Sequence, residues 1–196
     1  MTDSIDRRRL LQWSLAAVPG LMLLGTAVGA DKATKEDAGR AGAERDFDFF
    51  LGSWDVKHRR LKKRLAGNND WEEFDGSTRC QSLLGGVANI NDSVSYRAGG
   101  VYRGMGLRAF DANSQTWADW WLDGRNPVKI DTPGIGRFEG RVGTFFSEDL
   151  HDGKPVRVRG VFTHLSDSRM QWEQAFSPDG GASWETNWVM RYTRTG

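Results

Sequence analysis

Cysteine is almost absent: Cys80 is the only one in 196 residues, so no internal disulfide forms and the fold must be held by a buried core. An excess of one charge is missing too. The chain has 27 basic and 26 acidic residues, and because residues 1 to 30 hold three arginines and two aspartates, the rest carries 24 of each. A balanced chain lacks the basic surplus that a nucleic-acid binder needs, so no nucleic-acid partner is expected. Signatures of catalysis are also missing. There is no Gly-x-Ser-x-Gly elbow, no cysteine pair and no two histidines at helical metal spacing, so no catalytic residue and no metal ligand is assigned. Gly104-Met105-Gly106 and Gly134-Ile135-Gly136 lack the third glycine and the strand-then-helix setting of a dinucleotide loop. From Ser53 onward helical periodicity is absent as well.

The N-terminus carries an address. Arg7-Arg8-Arg9-Leu10-Leu11 opens an apolar run to Val28, and Val28-Gly29-Ala30 supplies small residues for a signal peptidase. Residues 1–30 therefore match a twin-arginine signal peptide, which predicts a periplasmic protein starting near Asp31, with no stable membrane span once the leader is cut. A retained anchor is the competing reading, because the run is about 19 residues and a spanning helix needs roughly 20. Pro19, Gly20 and Gly25 inside it favour the cleaved leader. Residues 31–45 are rich in Ala, Gly, Lys and Glu, bury too little to offset their ordering entropy, and read as a flexible linker. Residues 46–196 suffice for one core and one domain.

That domain reads as strands. Trp54-Asp55-Val56-Lys57-His58-Arg59 alternates apolar and charged residues, as a strand with one buried face demands. Gly67-Asn68-Asn69-Asp70 turns it into a strand beginning at Trp71, which sets Lys62-Lys63-Arg64 near Glu72 and Glu73. Further strands are predicted over 76–83, 87–96, 102–110, 116–122, 136–147, 155–165, 169–177 and 183–193, joined by short Gly, Asp, Asn and Ser turns. Consecutive strands with short links make an antiparallel meander. The fold class is all-β, and about nine or ten strands suit a single up-and-down barrel, with a two-sheet sandwich as the alternative. The aromatics of Phe47-Asp48-Phe49-Phe50-Leu51-Gly52 predict a short helical turn plugging one end.

Ser177-Pro178-Asp179-Gly180-Gly181-Ala182-Ser183-Trp184 fits the Asp-box pattern known from sialidase propellers. A propeller repeats its blades, and here the motif occurs once, so it reads as a well-made hairpin in which Asp179 bonds its own turn and Trp184 packs beside it. The flanking residues carry another resemblance. Phe47-Asp48-Phe49-Phe50-Leu51-Gly52-Ser53-Trp54, Gly136-Arg137-Phe138-Glu139-Gly140 and Trp172-Glu173-Gln174-Ala175-Phe176, running on to Trp184-Glu185-Thr186-Asn187-Trp188, resemble an uncharacterised bacterial family of lipocalin- or calycin-like barrels. More distantly, Gly52-Ser53-Trp54 is similar to the entry of barrels that hold fatty acids or, in the nitrobindins, haem. The resemblance implies an interior cavity and brings no substrate or catalytic residue with it.

Strand parity then divides the side chains. Phe162 and His164, then Trp172, Gln174 and Phe176, then Trp184, Thr186, Trp188 and Met190 share one face; Arg157, Arg159, Gln171, Glu173, Glu185, Asn187 and Arg191 share the other. The first set is expected inside, because unpaired charges are rarely buried. The candidate lining is Trp54, His58, Asp119, Trp121, Phe162, His164, Trp172, Gln174 and Trp188. Asp119 lies between Trp117 and Trp121, and a buried carboxylate wants a cationic partner, for which Arg60 is in phase with His58. This lining points to non-catalytic binding of a small apolar or amphipathic molecule. One alternative is a haem-binding or enzymatic barrel using His58 or His164; another is a structural module whose aromatics fill the interior. The sequence names neither the ligand nor the oligomeric state.

Overall fold

The computed structural model describes residues 42–196; the predicted leader and most of the predicted linker lie outside them. Ten strands run in chain order: β1 (Gly52–Leu61), β2 (Trp71–Leu83), β3 (Ala88–Arg97), β4 (Gly100–Asp111), β5 (Thr116–Asp123), β6 (Gly134–Glu139), β7 (Val142–His151), β8 (Lys154–Ser166), β9 (Arg169–Ser177) and β10 (Glu185–Arg194). Each pairs antiparallel with its sequence neighbours, and β1 also pairs with β10, so the sheet closes into a lipocalin-like barrel rather than a sandwich. Closure removes every exposed sheet edge. Among the described residues no helix is long and apolar enough to cross a membrane.

Two boundaries differ from the sequence reading. The segment 136–147, read as one strand, is two, with Gly140 at φ 61 in the turn between β6 and β7. Phe138 and Phe145 are both buried although they have opposite parity, which a single strand would forbid and a hairpin requires. Conversely, the pieces starting at Trp71 and Gly76 are one strand, β2.

One end of the barrel is solid. Two 3-10 turns, Ala43–Arg45 and Asp48–Phe50, enter it, so the folded part takes in three residues expected to be linker. Phe47 packs edge-on against Trp117, Phe138 and Phe162, with ring centroids 5.0, 4.9 and 5.1 Å away, and Phe50 meets Tyr192 in the same way at 5.6 Å. Burying each of these phenylalanines stabilises by about 1.5–3 kcal/mol. The plug's backbone also satisfies the indoles beneath it: Trp54 Nε1 donates to the Phe50 carbonyl at 2.8 Å and Trp117 Nε1 to that of Ala43 at 3.0 Å. Arg194 clamps the plug from the C-terminus, donating to the Leu51 and Phe49 carbonyls at 2.5 and 2.7 Å while its guanidinium covers the Trp54 ring.

The Asp-box hairpin has the expected local role. Asp179 accepts from the Ser183 amide at 2.8 Å, from the Ser177 hydroxyl at 2.7 Å and from the Ser183 hydroxyl at 2.5 Å. These bonds hold its carboxyl well below the usual carboxylate range. Trp184 Nε1 donates to Gly181 O at 3.0 Å, closing the turn between β9 and β10.

Candidate functional site

The other end of the barrel is hollow, with a cavity of about 350 Å³. Its walls differ. On the β1, β8, β9 and β10 side the lining is aromatic: Trp172 and Trp188 meet edge-on at 5.9 Å, and Phe162 stands 6.4 Å from Trp172. The β2 to β5 side adds polar groups between the rings of Phe74, Tyr102, Trp120 and Trp121. Ser77, Asn91, Ser93 and Ser95 face the space, and Asn91 Nδ2 donates to the Ser93 hydroxyl at 2.8 Å. Glycines on β4 make room for larger groups. A Cβ on Gly104 would lie 2.2 Å from the Trp121 ring, and one on Gly106 would lie 2.4 Å from Asn91 Oδ1.

Arg108 marks the floor between the hollow and solid halves. It is buried, its guanidinium lies 5.0–5.2 Å from the Phe47, Phe50 and Phe162 ring centres, and it donates to Asn89 and Asn91 at 3.1 and 2.8 Å. Its carboxylate partner is Asp119, directly opposite on β5, with Nε 3.0 Å from Oδ1. Burial holds the Asp119 carboxyl above its ordinary value, against the opposing pull of Arg108. The expected Arg60–Asp119 pair is therefore corrected. Arg60 sits across the barrel, where β1 register sets it opposite Glu72, and it donates twice to Glu72 Oε1 at 2.9 and 2.6 Å.

Arg97 bonds the same Oε1 at 2.7 Å. The neighbouring basic run also divides differently from its prediction: Lys62 pairs with Asp70 at 2.9 Å, whereas Arg64 turns into the mouth, over the rings of Phe176 and Trp188 at 5.1 and 5.9 Å. Among the described residues no carboxylate is in salt-bridge contact with Arg64. Burial, and then the charge of Arg60, lower its pKa to about 10.

The sequence-predicted residues separate by depth. His58, Asp119, Trp121, Phe162, Trp172, Gln174 and Trp188 all line the cavity. Trp54 and His164 do not. Trp54 is packed under the plug, and His164 lies at the closed end, stacked on Phe49 with centroids 4.7 Å apart. Trp121 stands at the rim, 40% exposed. His58 is stacked on Phe74 at 4.6 Å, and its Nδ1 accepts from Trp188 Nε1 at 3.3 Å. Burial, reinforced by Arg60 and opposed by Asp75, lowers its pKa to about 4, so it is neutral at pH 7. An iron bound at Nδ1 would have to displace the Trp188 indole, and Nε2 lies over Gly76.

One irregularity changes the parity of β10. Thr186 faces Ala175 but Trp188 faces Gln174, leaving Asn187 as the extra residue of a bulge. Trp188 and Met190 point inward as expected, while upstream the faces exchange. Trp184 packs outside against Phe146 and Arg159, at 6.0 and 4.6 Å. Glu185, expected outside, reaches the mouth, where it accepts from the Leu65 amide at 2.6 Å. Asn187, also expected in solvent, is fully buried.

The sequence reading missed Arg64, Arg97 and Arg108, because it sorted faces only in β1, around Asp119 and in the last three strands. Parity was the available signal: Arg108 is in phase with Gly104 and Gly106, and Arg97 with Ser93 and Ser95.

No family model matches the chain, and no curated protein does. Solved structures do. The S-type phycobiliprotein lyase CPES from Guillardia theta superposes with a TM-score of 0.54 at 12% identity, covering 81% of this chain and 95% of that one. A redesigned β-barrel gives a TM-score of 0.43 at 13% identity over 78% of this chain and 96% of its own. At such identities the first likeness shows the fold alone.

Proposed function

We propose that the protein binds a small amphipathic molecule in the open half of its barrel and performs no chemistry on it. The observation that carries this reading is the cavity of about 350 Å³, whose rings are interspersed with hydroxyl, amide and guanidinium groups. Such a pocket suits a ligand that has both apolar and polar parts. Support against a catalytic histidine comes from His58, which is held neutral and occupied by the Trp188 indole. We further propose that the twin-arginine segment directs the chain to the periplasm and is removed near Asp31.

Native mass spectrometry of the protein purified from its own source, with an absorption spectrum, tests these points together. A discrete excess mass lost on denaturation is expected, on a chain beginning near Asp31. A ligand-free mass under gentle conditions, with no saturable binding on titration with amphipathic dyes, would contradict the binding reading.

A further inference from the structure

Three guanidinium groups crowd the cavity mouth around one carboxylate. Arg60 and Arg97 share a single oxygen of Glu72, and Arg60 and Arg64 lie over the same Trp188 ring at 5.4 and 5.9 Å. Arg97 Nε is buried with no hydrogen-bond partner, and so is Gln174 Oε1 on the opposite wall. Arg64 has no hydrogen bond or ion pair of its own among the described residues. The acids of the rim make no contact with Arg64: Asp123 is paired with Arg125, Glu185 accepts from Leu65, and Glu185, Asp149 and Glu72 act on Arg64 only through their charge, outweighed by its burial and by Arg60. A guanidinium with unfilled donors in a half-enclosed space is suited to a planar oxyanion, which accepts two parallel N–H bonds.

Resting on the binding role proposed above, we infer that the ligand is an organic anion, a carboxylate or sulfonate on an apolar body. Arg64 and Arg97 hold its head group, and Trp172 and Trp188 receive its body. Arg60 stays on Glu72 and keeps the cluster in place. This assigns a polarity to the pocket: the charged end of the ligand faces the β1–β2 loop and the β3–β4 turn, and its apolar end reaches toward Phe162.

The test uses two dyes with the same aromatic body, 1-anilinonaphthalene-8-sulfonate and the uncharged N-phenyl-1-naphthylamine, titrated into the folded protein by fluorescence. The sulfonate is expected to bind about tenfold more tightly, the worth of one charge-assisted hydrogen bond. Arg64→Gln should lower the sulfonate's affinity several-fold more than the amine's and so remove most of that preference, and Arg64→Lys should restore part of it. Equal affinity of the two dyes for the unmodified protein, or a preference that survives in the Arg64→Gln/Arg97→Gln double variant, would overturn the head-group assignment and leave the pocket standing. Failure of both dyes to bind would overturn the assignment and the binding role together.

Discussion

The two ends of this barrel are built from the same strands and reach opposite solutions. At the closed end, rings meet rings at 4.9 to 5.6 Å and both indole donors end on plug carbonyls. At the open end, glycines hold the wall back, two arginines share one carboxylate, and a third, Arg64, makes no ion pair among the described residues. The first arrangement leaves little for a ligand to satisfy; the second leaves donors unfilled. Stability is therefore concentrated at one end and recognition at the other, with Arg108 and Asp119 at the boundary.

The sharpest way to break this contrast is to truncate the plug. Phe47→Ala should cost about 3–5 kcal/mol in urea unfolding, the usual range for emptying an aromatic core site. A loss below 1 kcal/mol would mean the plug does not anchor the fold. At the boundary, Asp119→Ala leaves Arg108 buried without its counter-charge and should cost about 3 kcal/mol, moderated by Asn89 and Asn91. An unchanged midpoint in the same assay would remove the pair from the account.

His58 sharpens the contrast through pH. Its folded pKa of about 4 lies below the ordinary 6.5, so between these values the unfolded chain binds the extra proton. Its contribution is complete above pH 6.5 and is lost as pH falls toward 4, amounting to about 2 kcal/mol between pH 7 and pH 5. Comparing unfolding at these two pH values for the natural protein and for His58→Leu should isolate it. The smallest effect on stability is expected at the mouth. Arg64→Gln should move stability by less than about 0.5 kcal/mol, because no structural bond depends on that side chain. A larger loss would show that Arg64 holds the fold.

Much of the fold was legible because alternation is strong where one face is wet. In β1, Trp54, Val56 and His58 are buried between charged residues, and β9 was read to its ends. Errors arose where the period was interrupted. Gly140 reverses the chain between two runs of similar composition, and the Asn187 bulge exchanges the faces upstream of it, sending Trp184 out and Glu185 in. Seven of the nine predicted lining residues face the cavity, and the two that do not differ in depth along the barrel, which parity cannot report. The arginines were hidden for another reason. Their burial depends on partners on the neighbouring strand, Glu72 on β2 for Arg97 on β3 and Asp119 on β5 for Arg108 on β4, far apart in sequence and brought together only by the register.

Hydrogen exchange with and without 1-anilinonaphthalene-8-sulfonate tests the division of labour most directly. Added protection should appear in residues 58–64, 93–103 and 172–190, while residues 43–54 and 136–146 should exchange slowly whether or not the dye is present. New protection centred on residues 43–54, or fast exchange there in the unliganded protein, would contradict the assignment of stability to the closed end and recognition to the open one.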